Sequence, residues 1–357
     1  MWCVERLTQP ALRSQELQRA DLCFAVFSEV HLDHAASLTH LRAIFQGYVD
    51  ADFVPYAIVL CGNFGAAPDV ADAEQLERYA SGFEALAELL QRFPRLLRET
   101  HFVFVPGPDD PAATPVLPRA RLPAPIAARF ERRLPGEFCA ARVHWASNPC
   151  RLVYFSQEVV VFRDDLMSKM LRSAVKLKHE LREGDLQKFV RVSLWLTQLV
   201  STLLDQAHLC PLPPPVRPVA WEYANALRLY PMPSAVRAAL TQLVLADRYE
   251  RFELTYEGCH VFNPGSFRGG AYGWATYYPA TGQAERRCVW RGRRGGRTGL
   301  TAASCRRRRR AKQRRRCFWG RPRRGARRRA GGSARGARAA APADRGPAHR
   351  PRGTSAS

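Results

Sequence analysis

The feature that most constrains the fold is a series of short segments rich in β-branched and aromatic residues, separated by stretches with helical periodicity. Short strands that alternate with amphipathic helices are typical of an α/β protein built in layers. We therefore predict an α/β fold with a strand in each of these segments: Leu22 to Phe27, Tyr56 to Cys61, Phe102 to Val105, Val159 to Phe162, Leu240 to Leu245 and Cys259 to Phe262.

Two long helices are predicted between the strands. In the first, apolar residues recur every three or four positions, which lines one face of a helix, and Pro94 follows where that helix could end. The second starts near Asp185, a residue suited to an N-cap, and is broken by the proline cluster at 211–218. The apolar faces comprise Leu76, Tyr79, Phe83, Leu86, Leu90 and Phe93 in the first helix and Phe189, Val190, Leu196, Leu199, Val200 and Leu203 in the second.

The positive charge of the chain is concentrated at one end. The formal net charge is +23, but residues 286–357 contain 26 of the 55 Lys and Arg residues and one acidic residue, Asp344. The first 285 residues therefore carry about −2, so the charge of this part does not indicate a nucleic-acid-binding domain. From residue 286 onward Arg, Gly, Ala and Pro dominate without apolar periodicity, and we expect a disordered Arg-rich tail.

Lys312 is the one lysine among the 26 basic residues of this tail. Such a skew fits a GC-rich coding sequence, either translated in its own frame or read through an altered frame or splice junction, and both alternatives stay open.

Neither a metal-binding cysteine motif nor a targeting segment is evident. The ten cysteines include no Cys-x-x-Cys pair, which argues against a zinc knuckle or a redox motif. The N-terminal residues lack the basic start and apolar run of a signal peptide, and the longest apolar stretch, 194–204, is too short to span a bilayer. We expect a soluble, intracellular protein with no membrane association.

The loops that follow the predicted strands carry polar and turn-forming residues. Functional sites in α/β proteins usually form where strands end, so these loops are the first place to look for a site. They read Ser28-Glu29-Val30-His31-Leu32-Asp33, Gly62-Asn63-Phe64, Pro106-Gly107-Pro108-Asp109-Asp110-Pro111 and Asn263-Pro264-Gly265-Ser266-Phe267.

The order of these loops resembles that of the calcineurin-like metallophosphoesterases, in which Asp-x-His, Gly-Asp-x-x-Asp, Gly-Asn-His-Asp/Glu and Gly-His-x-His motifs hold two catalytic metal ions. The resemblance implies a two-layer β-sandwich flanked by helices. Most metal-binding side chains are nevertheless replaced. The degenerate positions are Glu29 and His31 in the first motif, Asn63 in the second, Pro108 and Asp109 in the third, and Asp247 and Tyr249 near the last, where Arg248 would repel metal ions.

This pattern predicts no catalytic, cofactor-binding or metal-binding residues and no cofactor. Asn63 cannot neutralise two divalent cations as a bridging aspartate would, and Pro108 offers no side-chain ligand. Asp109 and Asp110, between two prolines, are interpreted as turn formers, and Gly265 is expected to adopt a conformation that other residues avoid.

This pattern, in which the loops are retained but the metal-binding side chains are lost, resembles that of the B-subunits of replicative DNA polymerases, most closely those of the epsilon polymerase. The resemblance covers roughly Leu22 to Pro279 and rests on Ser28-Glu29-Val30 followed by Leu32-Asp33, Leu60-Cys61-Gly62-Asn63-Phe64, Phe102-Val103-Phe104-Val105-Pro106-Gly107-Pro108, Asn148-Pro149-Cys150-Arg151, Phe162-Arg163-Asp164-Asp165-Leu166, His208-Leu209 with Pro211-Leu212-Pro213, Ala226-Leu227-Arg228-Leu229-Tyr230-Pro231 and Asn263-Pro264-Gly265-Ser266-Phe267.

The resemblance implies a non-catalytic accessory subunit of DNA polymerase epsilon, acting in nuclear DNA replication. Its implied partners are the zinc-bearing C-terminal module of the catalytic subunit, other holoenzyme subunits and, through the complex, DNA. Family members carry an OB-fold ahead of the phosphoesterase-like domain. We therefore expect a lead-in at 1–20 with the OB-fold missing, an inactivated phosphoesterase-like domain at 21–285 and the basic tail at 286–357.

Two other functions are compatible with the sequence. One is a divergent metal-dependent phosphoesterase with Glu29, His31, Asn63 and Asp109 in an unusual site. The other is an Arg-rich nucleic-acid-binding protein whose activity resides in the tail, which would bind phosphates without sequence preference.

Overall fold

The computed structural model describes residues 10–66, 72–111, 114–174, 188–229, 241–269, 272–292 and 299–304. The strands are β1 (Phe24–Ser28), β2 (Ala57–Cys61), β3 (His101–Val105), β4 (Val143–Trp145), β5 (Cys150–Tyr154), β6 (Gln157–Phe162), β7 (Thr241–Leu245), β8 (Phe252–Tyr256), β9 (Cys259–Asn263), β10 (Gly273–Tyr278), β11 (Gln283–Gly292) and β12 (Gly299–Ser304). The helices are α1 (Pro10–Leu17), α2 (Ala35–Asp50), α3 (Ala73–Gln91), α4 (Pro94–Glu99), α5 (Ala124–Glu131), α6 (Gly136–Arg142), α7 (Met167–Ser173) and α8 (Lys188–Asp205), with a 3-10 helix at Trp221–Leu227.

These strands form two sheets. One has the order β12-β11-β10-β1-β2-β3-β4 and the other the order β5-β6-β7-β9-β8. Strands β1 to β4 are parallel to one another, as are β6, β7 and β9. The six predicted strands are confirmed as β1, β2, β3, β6, β7 and β9, with ends that differ by at most two residues.

Three of the strands that were not predicted, β4, β5 and β8, lie at sheet edges, and two more, β11 and β12, fall partly or wholly within the tail that was expected to be disordered. An edge strand is less covered by neighbours, so its side chains need not be uniformly apolar. The burial of β8 alternates along Phe252–Tyr256, whereas every residue of β2 is buried.

Apolar side chains fill three layers. The layer between the sheets contains Val26 and Val59 from the first sheet and Val161 and Val244 from the second. The outer face of the first sheet packs against α2 and α3, and the outer face of the second packs against α7 and α8. The fold is therefore a two-layer β-sandwich flanked by helices, as the resemblance implied.

The predicted helices are confirmed. Helix α3 begins after Asp72, whose carboxylate accepts hydrogen bonds from the N–H groups of Glu74 and Gln75, and its apolar face is buried on the sheet. Pro94 follows this helix but also starts α4, since a proline is well tolerated at the first position of a helix. Helix α8 begins at Lys188 in the structure, and Asp185, the predicted N-cap, lies outside the described residues.

The ordered elements extend past both expected boundaries of the domain. Helix α1 precedes residue 21 and is anchored by the buried Glu16. Strand β11 crosses residue 285 because its residues up to Cys288 pair with β10. The remainder of the expected tail, from residue 305, lies outside the described residues. None of the helices in the described part is long and apolar enough to cross a membrane.

Candidate functional site

The parallel strands bring the predicted loops together. Because β1, β2 and β3 are parallel, the loops after them emerge at the same edge of the first sheet. Hydrogen bonds join these loops to the segments that follow β6 and β7 in the second sheet. The predicted positions therefore gather around one cluster of charged side chains, although Arg163 and Asp165, which are central to it, were not among the predicted site residues.

Arg163 lies at the centre of this cluster. Its side chain is fully buried directly after β6, a strand with no exposed residue. The guanidinium donates to the carbonyl oxygen of Gly62, to Asp165 Oδ1 at 2.8 Å, to the carbonyl oxygen of Ala246 at 3.1 Å and to Glu29 Oε1 at 3.3 Å. Burial opposes the charge, but Asp165 and Glu29 outweigh it and raise the pKa of Arg163. One buried cation thus joins loops of both sheets.

Arg248 approaches the same carboxylates from the solvent side. Its side chain is 49% exposed, and the guanidinium donates to Glu29 Oε1 through Nε and to Asp109 Oδ2 through Nη2. Its Nε also lies 3.5 Å from Asp165 Oδ2. Partial burial opposes the charge of Arg248, but these acidic neighbours raise its pKa. Arg248 was expected to repel metal ions, and the structure places its guanidinium between two of the degenerate positions, Glu29 and Asp109.

Asn63 and Asp109 are bonded to each other in both directions. Asn63 Nδ2 donates to Asp109 Oδ2 at 2.7 Å, and the N–H of Asp109 donates to Asn63 Oδ1 at 2.9 Å. An amide can donate and accept at once, whereas an ionised aspartate at position 63 could only accept. Asn63 therefore suits a loop-to-loop contact, and the neighbouring Pro108 adds no polar group to it.

Asp110 does more than form a turn. Its Oδ2 accepts from the N–H of Gly107 at 2.7 Å, which is the local contact expected of a turn. Its Oδ1 also accepts from the N–H of Phe64 at 2.7 Å and from the Tyr79 hydroxyl at 3.0 Å. Burial raises the pKa of Asp110. This side chain ties the loops after β2 and β3 to helix α3.

Asp247 and Tyr249 occupy structural positions. The Asp247 carboxylate accepts from the N–H groups of Met167 and Tyr249, each at 2.8 Å. Burial raises its pKa to about 6 despite these two hydrogen bonds. The Tyr249 ring packs against the apolar layer on the helix side of the second sheet. Neither residue offers an imidazole where the phosphoesterase resemblance implies a histidine pair.

His31 is buried beside this cluster without a hydrogen bond to Nδ1. Both Glu29 and His31 have positive φ angles, 55° and 47°. His31 Nδ1 lies 3.8 Å from Asp33 Oδ1, which is too far for a hydrogen bond. Burial lowers the pKa of His31, so its neutral form is favoured.

The residues present do not fit the two metal ions that the phosphoesterase resemblance implies. The Arg163 and Arg248 guanidiniums already contact the carboxylates of Glu29, Asp109 and Asp165. Asn63 is committed to Asp109, and Pro108 has no ligand atom. Within the described ranges, no three His, Cys, Asp or Glu side chains are arranged to hold a metal ion.

A second charged cluster continues behind the first. Asp164, which is buried, accepts from Arg217 Nε at 2.9 Å and from Arg119 Nη2 at 3.3 Å. Arg119 Nη1 also donates to the carbonyl oxygen of Arg163 at 3.1 Å. The available sequence signal was the Arg-Asp-Asp triplet that directly follows a fully apolar strand end, since charges there must be paired if they are buried.

Comparison with known proteins identifies the family. Residues 24–242 match the family model for the B-subunits of DNA polymerases alpha and epsilon. DNA polymerase epsilon subunit 2 is 35% identical in Mus musculus and 36% identical in Homo sapiens, each over 279 residues, 78% of this chain and 47% of the relative. The chain thus spans about half the length of the curated relatives it matches.

A solved dimetal phosphatase from Danio rerio aligns with 72% of this chain and 93% of its own at 11% identity and a TM-score of 0.36. The resemblance to the B-subunits of replicative DNA polymerases is confirmed by the family model and by the curated relatives. The chain belongs to the family of DNA polymerase alpha and epsilon B-subunits.

Proposed function

We propose that this protein is a non-catalytic accessory subunit of DNA polymerase epsilon that scaffolds the catalytic subunit during nuclear DNA replication. Family membership and relatives named DNA polymerase epsilon subunit 2 support this assignment. The observation that carries the non-catalytic part is the position of Arg248, whose guanidinium bonds to Glu29 and Asp109 where a phosphoesterase would need metal ions. A hydrolytic site would lack the cation that polarises the phosphate and activates water.

A scaffold needs a rigid frame. The buried arginines and carboxylates connect loops of both sheets, and breaking a buried pair by removing one partner is costly. The loops that form an active site in an enzyme are thereby held in one arrangement. Such a frame suits a protein that must present a constant surface to another subunit.

The proposed partner is the zinc-bearing C-terminal module of the catalytic subunit, in a holoenzyme that contacts DNA. Trp221 and Tyr223 support a protein partner, since their side chains are 76% and 61% exposed and exposed aromatic residues often dominate interfaces. The only acidic or basic side chain exposed between residues 211 and 223 is Glu222. A patch without exposed cations favours an apolar protein surface over a phosphate backbone.

The test is co-purification of the full chain with that module. A stable complex is expected, and its retention should fall when Trp221 and Tyr223 are both changed to Ala. The matched control is Leu17→Ala and Val153→Ala, which removes two other exposed apolar side chains. Failure of the unchanged chain to bind any part of the catalytic subunit would contradict the proposal.

The phosphoesterase alternative is tested with the same preparation. Manganese-stimulated hydrolysis of a phosphodiester that is abolished by His31→Ala would favour the enzyme. No hydrolysis is expected, because the degenerate positions supply no pair of metal sites. The nucleic-acid-binding alternative concerns the tail, most of which lies outside the described residues.

A further inference from the structure

Two guanidiniums and three carboxylates form a closed network at the edge of the two sheets. Arg163 and Arg248 both donate to Glu29 Oε1, and both also approach Asp165, at 2.8 Å and 3.5 Å. Arg248 alone also reaches Asp109. Each carboxylate in the network therefore has at least one arginine as its counterion.

The network joins segments that are distant in sequence. Glu29 follows β1 and Asp109 follows β3, both in the first sheet, whereas Asp165 follows β6 and Arg248 follows β7, both in the second. A divalent cation held by carboxylates could connect the same loops. Here the connecting cation is a side chain, which cannot dissociate.

The arrangement has the charge expected of a cation site. Glu29 and Asp165 are mostly buried, and buried carboxylates need a counterion. Without the Arg248 guanidinium, three carboxylates and Arg163 would leave a formal charge of −2, which a divalent cation would neutralise. His31, in the same loop as Glu29, is buried, and its Nδ1 has no hydrogen bond among the described residues and lies 3.8 Å from Asp33 Oδ1.

We propose that the Arg248 guanidinium substitutes for a divalent cation: it fastens the loop ends of the two sheets together, and when it is removed Glu29, Asp109 and Asp165, which form no metal site among the described residues of the unchanged protein, close around a divalent cation. This inference does not depend on the proposed accessory function. The proposal can be distinguished from the alternative that Arg248 forms an ordinary exposed ion pair. Such a pair would add little to stability, and its removal would create no cation-binding site.

The test uses the full chain and Mn²⁺ alone as the probe. Thermal unfolding is followed with and without Mn²⁺, and bound Mn²⁺ is measured from the loss of the free-ion signal in electron paramagnetic resonance. The unchanged protein should bind no Mn²⁺ and show the same Tm in Mn²⁺ and in EDTA. Arg248→Ala should melt a few degrees lower, bind about one equivalent of Mn²⁺ and recover part of the lost Tm when Mn²⁺ is added.

Two further variants control for binding to any vacated carboxylates. Arg129→Ala removes the arginine partner of Glu77 and one of the two arginine partners of Glu84 on helix α3, and its Tm should not respond to Mn²⁺. The double variant Arg248→Ala with Glu29→Gln should lose the Mn²⁺ response of Arg248→Ala, because it removes the carboxylate shared by both arginines.

A charge comparison keeps the proposal testable even if Arg248→Ala folds poorly. Arg248→Lys keeps a cation and should retain most of the Tm, whereas Arg248→Gln keeps hydrogen-bonding capacity without charge and should melt lower. Mn²⁺ should raise the Tm of the Gln variant and leave that of the Lys variant unchanged. Equal Tm values for these two variants, absence of Mn²⁺ binding in Arg248→Ala, or binding of Mn²⁺ by the unchanged protein would each overturn the proposal.

Discussion

Glu16 accepts two hydrogen bonds from Ser156, one from the backbone N–H at 2.7 Å and one from the hydroxyl at 2.8 Å. Gln157 and Arg13 donate to the other carboxylate oxygen, at 3.0 Å and 2.7 Å. This buried carboxylate anchors helix α1 to the turn between β5 and β6.

Changing Glu16 to Ala should destabilise the protein by about 2–4 kcal/mol, because it leaves the buried donors of Ser156 and Gln157 without their acceptor. Urea denaturation measures the effect. Glu137→Ala, at an exposed position of α6, is the matched control and should change stability by no more than about 0.5 kcal/mol. Similar losses in the two variants would contradict the anchoring role.

Gly107→Ala should destabilise the protein by about 1–3 kcal/mol, since its Cβ would overlap Asn63 Oδ1 and lie 2.8 Å from the carbonyl carbon of Gly62. Gly136→Ala is the matched control. A Cβ there meets nothing within 4 Å at the start of α6, so stability should be unchanged or rise by about 0.5–1 kcal/mol. Thermal unfolding of the two variants compares them, and tolerance of Ala at 107 would contradict the close approach of the two loops.

Asp247→Asn should alter how stability depends on pH. Burial raises the pKa of Asp247 to about 6, so its contribution is fully present below its unfolded pKa near 4 and is lost as the pH rises through 6. The Asn variant lacks this pH-dependent contribution to stability, because its amide does not titrate. The stability difference between the unchanged protein and the variant should therefore shrink by about 3 kcal/mol at most between pH 4 and pH 8. A constant difference across that range would show that Asp247 does not titrate there.

His101 and His144 should make stability depend on pH in the opposite direction. Arg142 Nη1 lies 2.8 Å from His101 Nε2 and can only donate, so His101 Nδ1 must carry the proton that it shares with His144 Nε2 at 3.0 Å. Both rings are therefore neutral. Burial, and after it Arg142, lowers the pKa of each ring. The neutral pair contributes stability above the unfolded pKa near 6.5, and this contribution is lost as the pH falls.

His144→Asn should accordingly lose less stability than the unchanged protein between pH 7.5 and pH 5. Adding His101→Asn to that variant should remove little more, because the two rings act as a pair. Denaturant melts at the two pH values provide the measurement. Additive effects of the two substitutions would show that the rings titrate independently.

The layered fold was predictable because its central strands are apolar throughout. The segment around Val59 is buried on both faces, so its composition alone indicates a strand. The edge strand that contains His144 has three residues, one of them exposed, and carries no such signal. Its contact with His101 depends on the register of β3 against β4, which no local pattern specifies.

The loops that form the candidate site could be predicted from the sequence, but the hydrogen bonds and ion pairs between these loops could not. Glu29, Asn63 and Asp109 were identified by their positions after strands, and hydrogen bonds link them as one group through Arg248. The role of Arg163 was not predicted, because the Arg-Asp-Asp triplet after this apolar strand does not itself show whether its charges are buried or solvated. Only the topology shows that loops from both sheets converge on that position and bury its side chain completely.

Strand β11 bears on how a shortened version of this protein should be made. A cut placed where arginine begins to dominate the composition would remove Cys288, which is buried, and Arg287, which donates to the Tyr278 hydroxyl at 2.9 Å. It would also leave half of β10 without a paired strand. The backbone amides and carbonyls exposed there could pair with another chain and cause aggregation. Expression trials should therefore place the terminus beyond Ser304, because compositional bias is a poor guide to where hydrogen-bonded sheet ends.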